Sequence, residues 1–476
     1  MVLTEFLTTE QVKTIHRNAL RVLAEIGVRV EHEEVRSRLA ALGGQCDSAT
    51  GRVRFSPRIV EHFISAKRKT GLETTSPAIR VTCGVYQSYY LDPATDEILP
   101  FDEERLAKYL MLAHSLSLIE LPHLLGMPYL PQGIPAEYLP LAEKLFAWKH
   151  GVRPSGSVQL TGLCPPLLEM FTCHAERSGR RLEEVFTAEG FLVSPLKLAR
   201  PECEQLMFFF KHGLRMRIGH QPSQGGTAPI SLAGSIVLAL AEQIFIFLLY
   251  RSFWDDAVFS VGGSVMTMDM RNAVACYGRP EQQRINVAFA DIARFYGCPC
   301  GGHTGLSDAK RPSFEAGAQK AVGALITALA TGCGTIEAGL LATDEICSPI
   351  QMILDHDLAR SLRALLAQPE VNEAECAFRE ILAAGIGGNF LGTDFTFERF
   401  RKDLYQPQTW SWQMVSGWQE SGKKMDVDMA RDIFMHFESR FTPGSQISLD
   451  EERKLRDIIE VSIRSGLASG PHAQEM

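Results

Sequence analysis

From about residue 118 the chain settles into a rhythm: a short apolar segment ending in Gly, Pro or polar residues, then a long run with apolar residues at helical spacing. "HLLGMPYLP" precedes a helical run over 137–149, "RPSGSVQL" one over 163–178 and "GFLVSPLKL" one over 201–213. "RMRIGHQPSQGGTAP" leads into 229–250, "AVFSVGGSVMTMD" into 280–296, "CPCGGHTGLSDAK" into 313–331 and "GTIEAGLLATDE" into 348–366. An eighth unit is "GNFLGTDFT" before 396–404. Seven or eight successive strand–helix units restrict the chain to a parallel sheet, doubly wound or closed, and a count of eight predicts an α/β fold of the (β/α)8 TIM-barrel type. The flanks read differently. Residues 1–100, with helices from "TTEQVKTIHRNALRVLAEIGVRV", "EHEEVRSRLAALGG" and "SPRIVEHFISAKR", a strand at 52–55 and a hairpin around "DPATDE", predict an N-terminal α+β cap. Residues 101–400 then hold the barrel, and 401–476 a C-terminal helical extension packed on it, with the aromatic stretch "LYQPQTWSWQMVSGWQESGKK" folding back over the barrel.

In a barrel of this kind the chemistry lies in the loops after the strands. Those loops hold Met127, Gln159, Ser194, His220, Gln221, Gln224, His303, Asp308, Lys310, Arg311 and Glu337. In "HTGLSDAKR" a guanidinium at a strand end suits a carboxylate-bearing ligand, which it grips through two parallel hydrogen bonds; the bland alternative is a solvated turn whose charges neutralise each other. Gly225 and Gly226 before Pro229, and Gly262 and Gly263 in "SVGGS", allow backbone to approach a ligand or allow tight packing. Glu337 in "GTIEAG" is a carboxylate in a small apolar strand, costly there unless it faces a cavity or a partner. Trp410, Trp412 and Trp418 can form a cage for a quaternary ammonium or simply pack down. Cys298, Cys300 and His303 lack a second ligand pair, so no metal site is expected.

A net charge of -8 argues against general nucleic-acid binding. Eleven scattered cysteines fit reduced thiols, and the N-terminus has no secretory pattern, so the expected location is the cytoplasm. The apolar run 229–253 carries Glu242 and Gln243 at its middle, which predicts a buried core helix rather than a membrane span. No G-x-S-x-G, HExxH or paired carboxylates at a known spacing supplies a nucleophile.

"SQGGTAPISLAGSIVLALAEQ", "SVMTMDMRNAVACYGRPE", "FADIARFYGCPCGGHTGLSDAKRPSFEAGAQKA", "IEAGLLATDEICSP" and "ILDHDLARSL" together resemble the trimethylamine methyltransferase superfamily, from about residue 8 to 435. The chain has ordinary residues throughout where relatives acting on trimethylamine place pyrrolysine near "IEAGLLA", so it resembles the branch lacking pyrrolysine, which includes glycine betaine methyltransferase. One departure is Phe395-Thr396 where many relatives show His-Thr. The resemblance implies transfer of a methyl group from a quaternary amine, glycine betaine or a related betaine, to the Co(I) of a corrinoid (cobalamin) on a cognate partner protein. None of the thirteen histidines follows an Asp in the D-x-H-x-x-G corrinoid signature, which fits a carrier on another chain. His220, Gln224, His303, Asp308, Lys310, Arg311, Glu337, Trp410 and Trp412 are the substrate-binding candidates, and Gly225, Gly226, Gly262 and Gly263 those of corrinoid-facing loops. The other readings are a non-enzymatic quaternary-amine binder and a barrel hydrolase or lyase.

Overall fold

Thr8 starts the first helix by accepting the backbone N–H of Gln11, while the Gln11 side chain accepts the N–H of Thr8, so two amides that a helix start leaves bare are satisfied together. The helix Thr9–Arg21 turns Val12, Ile15, Ala19 and Leu20 inward. Helices Glu33–Ala41 and Pro57–Ser65 and an antiparallel sheet of Gln45–Asp47, Arg52–Arg54 and Val28–Val30 follow. This unit is tied to the body, because Val28–Val30 also pairs in parallel with Lys197–Leu198. The computed structural model describes residues 3, 5–65, 77–120, 122–442 and 444–467; residues 66–68 of the helix expected to reach Arg68 lie outside them.

The body mixes helix and parallel sheet. Strands His123–Leu124, Glu189–Leu192, Arg217–His220, Val261–Gly263, Cys300–Gly302 and Cys333–Glu337 each precede a helix, as the rhythm predicts, and residues 153–157 run beside them through isolated bridges. Neighbours pair in parallel: Gly84–Val85 with His123–Leu124, Glu189–Leu192 with Arg217–His220, Val261–Gly263 with Cys300–Gly302. The series forms separate short ladders rather than one continuous closed sheet. Two of the breaks between them are spanned: Ser223–Gln224 pairs with Met266–Thr267, and Glu337 N–H reaches the carbonyl of Gly305.

One expectation is corrected here. The stretch 388–393 forms no strand, so "GNFLGTDFT" is not the eighth unit. The strand that does pair with Cys333–Glu337, in parallel along its whole length, is Ala78–Thr82. The hairpin around "DPATDE" does form, from Tyr89–Leu91 and Ile98–Pro100, but the residues just before it join the parallel series, across the division expected at residue 100.

Exposure alternates along these strands. In Cys333–Glu337, Gly334 and Ile336 are buried under helices, while Cys333, Thr335 and Glu337 on the other face are open to varying degrees. Ala78–Thr82 repeats the pattern, with Ile79 and Val81 buried. On these two strands one face is therefore open and the other packs into the core. One core cluster joins Val12 and Ile15 to Phe245 and to Leu455 of the C-terminal helix Leu449–Arg464. A second joins Val81, Tyr109 and Ile336 to Phe434 of helix Asp426–Glu438.

The apolar helix Leu232–Arg251 is the one described helix long and apolar enough to cross a membrane, and it is buried in the first core. Its two polar residues have partners. Gln243 bonds both the N–H and the carbonyl of Gly262, taking the place of a neighbouring strand, and Glu242 accepts from Ser194, Leu196 and His220. The aromatic stretch near 404–420 does not lie buried over the sheet. It is fastened at one point, where Asp357 accepts from the Tyr405 hydroxyl and the backbone N–H groups of Gln408 and Thr409.

Candidate functional site

At the carboxyl end of the parallel strands, three residues picked out by sequence come together: His220 at the end of its strand, His303 just after Cys300–Gly302, and Glu337 at the end of its own. Burial lowers the pKa of His303, with the charge of Glu337 pulling it up and His220 pulling it down. His220 places Nδ1 3.0 Å from Glu242 Oε2. A carboxylate can only accept, so the proton sits on Nδ1, and Nε2 is left buried with no partner in the protein. Gln221 donates to the Tyr277 hydroxyl at 3.3 Å, and the Tyr277 ring lies 5.7 Å from that of His303.

Three members of the cluster were not singled out from sequence: Tyr86, Tyr277 and Asp344. Burial, followed by the charge of Asp344, raises the hydroxyl pKa of both tyrosines. Asp344 is pushed up to about 7, first by burial and then by the charge of Glu337. Asp344 Oδ1 and Glu337 Oε2 are both buried and unpartnered. Asp344 ends a run of three non-glycine residues, Ala342, Thr343 and Asp344, at left-handed φ of 52°, 57° and 73°. Such a run costs free energy and persists only where its surroundings hold it.

Asp308 is a large part of those surroundings. Its carboxylate accepts from the N–H of Tyr277 at 2.7 Å, the N–H of Gly278 at 2.9 Å and the Thr343 hydroxyl at 3.0 Å. One side chain thus fixes both loops that bring in Tyr277 and Asp344. A second brace lies behind the sheet, where Lys320 donates to the Glu337 carbonyl and to Asp355 Oδ2, and Asp355 accepts the N–H of Gly339. The turn carrying Glu337 is clamped from inside the core. A lysine within the helical run "FEAGAQKAVGAL" was the sequence signal for it.

The other candidates sit elsewhere. Lys310 is exposed and bonds the carbonyl of Asp308, two residues back. Arg311 points to the Asp96 carbonyl at 2.6 Å and lines a shallow pocket with Asp92 and Pro93. Trp410 meets Tyr405 edge-on, Trp412 is exposed, and Trp418 donates to the Lys424 carbonyl, so the three form no cage. Gln224 braces its own loop through the Ile230 carbonyl. Gly262 and Gly263 are buried packing positions: a Cβ would lie 2.7 Å from the Gly301 carbonyl oxygen at the first and 2.1 Å from Asn286 Oδ1 at the second. Gly225 takes a left-handed φ of 89°. Gly226 lines an apolar groove of about 1190 Å³ between the first helix and the start of Leu232–Arg251. That groove is separate from the His–carboxylate cluster. Among the described residues no group of three His, Cys, Asp or Glu is gathered in the manner of a metal site.

Orphaned carboxylate oxygens beside two phenol rings suit a small organic cation, whose diffuse charge both can attract. The chain belongs to the trimethylamine methyltransferase (MTTB) family, whose profile matches residues 1–121 and 175–465. With ordinary residues throughout, it falls in the branch without pyrrolysine. It is similar to the trimethylamine methyltransferase MttB of Methanosarcina barkeri, 26% identical over 405 residues, 81% of this chain and 80% of that one. It is also similar to the glycine betaine methyltransferase of Desulfitobacterium hafniense, 26% identical over 426 residues, 84% and 85% of the two chains. Among solved structures, the monomethylamine methyltransferase MtmB of Methanosarcina barkeri superposes with a TM-score of 0.43 at 10% identity, covering 94% of this chain and 92% of that one.

Proposed function

We propose that this chain transfers a methyl group from a quaternary amine, glycine betaine or a related betaine, to the Co(I) of a corrinoid carried by a cognate partner protein. The observation that carries the reading is the pair of buried, unpartnered oxygens on Glu337 and Asp344, set beside Tyr86 and Tyr277 at the open end of the strands. We read the ladders as parts of one (β/α)8 barrel, since Cys333–Glu337 pairs back to Ala78–Thr82, and the cluster as its mouth. Its flanks are then a cap before the first strand and the helices Asp426–Glu438 and Leu449–Arg464 after the last.

The mouth suits a bulky acceptor arriving from outside. Gly301 is exposed, and a Cβ there would meet nothing within 4 Å, so this point of the wall is bare of side chains. Bound on its carrier, the corrinoid supplies reduced cobalt as the attacking atom. The chain's own residues position the donor. A quaternary ammonium leaves as a neutral amine, so no side chain need protonate it. Its charge fades as the C–N bond breaks, and a very strong ion pair would hold the substrate back. Asp344, with its pKa near 7, is only partly charged at neutral pH, which moderates the attraction. With Arg311 turned to Asp96, the carboxylate of a betaine is left Gln221 Nε2 as its donor.

The test is incubation with cob(I)alamin, alone and on a corrinoid carrier, and a panel of betaines with trimethylamine beside them. Loss of cob(I)alamin absorbance matched by one demethylated amine per cobalt is expected for a betaine. Transfer from trimethylamine but from no quaternary amine overturns the substrate reading. Tight betaine binding without transfer points to a binder, and turnover without cobalamin to a hydrolase or lyase.

A further inference from the structure

The open face of the Ala78–Thr82 and Cys333–Glu337 pair carries Arg80 and Thr82 beside Cys333, Thr335 and Glu337. On Glu189–Leu192 and Arg217–His220, Leu192 and Ile218 go into the core, which leaves Glu189, Phe191, Arg217 and Gly219 on the opposite face. The charges of Asp344, Glu337 and Glu189 all reach the Tyr86 hydroxyl, so the two ladders border one space. The interior of a (β/α)8 barrel is normally filled by layers of Val, Ile and Leu. These positions hold threonine, glycine and ion-paired side chains instead, and solvent reaches them. Near the amino ends of the strands Arg80 and Arg217 are 56% and 75% exposed. Cys333 beside Arg80 is exposed, and Thr82 and Thr335 further along are half-buried. Thr82 Oγ1 has no partner in the protein, which suits a wet interior.

We propose that this interior is an open polar passage from Arg80, Cys333 and Arg217 at the amino ends of the strands to Glu337 at the carboxyl end, through which the small amine enters and its demethylated product leaves while the corrinoid carrier covers the mouth. The identity of the traffic rests on the methyl transfer proposed above; the opening rests on the exposure of these residues. Cys333 and Glu337 are four strand steps apart, a path of about 13 Å. Its charge suits a quaternary ammonium. Each arginine is paired, Arg80 with Glu120 at 2.9 Å and Arg217 with Glu189 at 3.8 Å, so neither repels a cation at full strength. Glu337 and Asp344 draw the cation to the far end, and Phe191 offers it an aromatic face on the way.

The experiment is mass-spectrometric labelling of full-length Thr335→Cys with a methanethiosulfonate that carries a trimethylammonium group, the buried Cys83 and Cys347 serving as internal references. The new thiol should label at least about tenfold faster than the references, and about tenfold more slowly once Cys333→Trp or Arg80→Trp narrows the amino end. Both plugs sit at exposed positions, and far-UV circular dichroism and the melting temperature verify the fold. Failure to label overturns the proposal, as does labelling that neither plug slows, since the reagent then arrives from the carboxyl end. The plugs should also slow methyl transfer to carrier-borne corrinoid at least about fivefold more than transfer to free cob(I)alamin; equal slowing of the two overturns the traffic. Labelling that both plugs slow, in a protein that takes a methyl group from no quaternary amine, supports the passage and counts against the proposed reaction.

Discussion

Asp344 is the residue whose protonation matters most in the His–carboxylate cluster. It is held uncharged up to about pH 7 by burial and by the nearby Glu337. Its folded value lies above the ordinary 3.8, so the folded state keeps a proton that the unfolded state releases, and stability falls as pH rises from about 4 towards 7. Affinity for a cation moves the other way, because ionised Asp344 attracts it. Titration calorimetry of a quaternary amine should therefore show binding that tightens as pH rises through about 7, and Asp344→Asn should remove that slope. The same variant, without ligand, should melt higher than the parent at pH 8. A parallel pH slope in both proteins would place the titrating group elsewhere. Sequence pointed to Glu337 as a carboxylate in a small apolar strand, and to His220 and His303 as polar residues in the loops after strands. It could not find Asp344, Tyr86 and Tyr277, which sit on loops placed by distant partners. It was misled at Lys310 and Arg311, where charge type was read as ligand binding although Asp308 turns its carboxylate inward to hold two loops while both cations face out.

At the scale of elements, the Cys333–Glu337 strand is held to its neighbours by sheet pairing on one side and by Lys320 and Asp355 behind it. That ion pair is fully buried, with 2.6 Å between Lys320 Nζ and Asp355 Oδ2. Lys320→Ala leaves the carboxylate without its counter-ion and should cost about 3–5 kcal/mol in urea unfolding. Lys320→Met combined with Asp355→Leu should recover much of that loss in stability, yet not the binding of amine, because the Glu337 carbonyl and the Gly339 N–H lose their partners. Full recovery of binding would show that the clamp does not set the turn. The strand–helix rhythm was legible from 118 to 366 because each unit carries its own apolar period and its own Gly or Pro stop. The Ala78–Thr82 strand was not, since five residues before a hairpin carry no local sign of a partner beyond residue 330. "GNFLGTDFT" misled for the converse reason: its composition matches a strand and turn, but no neighbouring edge receives it.

For the molecule as a whole, the first and last described helices are structural parts of the body. Leu455 and Ile459 of the last described helix share a core with Val12 and Ile15 of the first, with Leu455 fully buried. Leu455→Ala should destabilise the body by about 2–5 kcal/mol, lowering one melting transition seen alike by far-UV circular dichroism and tryptophan fluorescence. An early separate transition confined to the C-terminal helix would show that helix to be an independent appendage.

The pairing of Ala78 with Cys333 has a consequence for how the protein is made, because the two lie 255 positions apart in the chain. At roughly 5–20 residues per second, a ribosome needs on the order of ten seconds or more to deliver the second strand after the first has emerged. Throughout that interval the nascent polypeptide presents a bare β edge to its surroundings, and its safety depends on whatever shelters that edge until the late strand arrives.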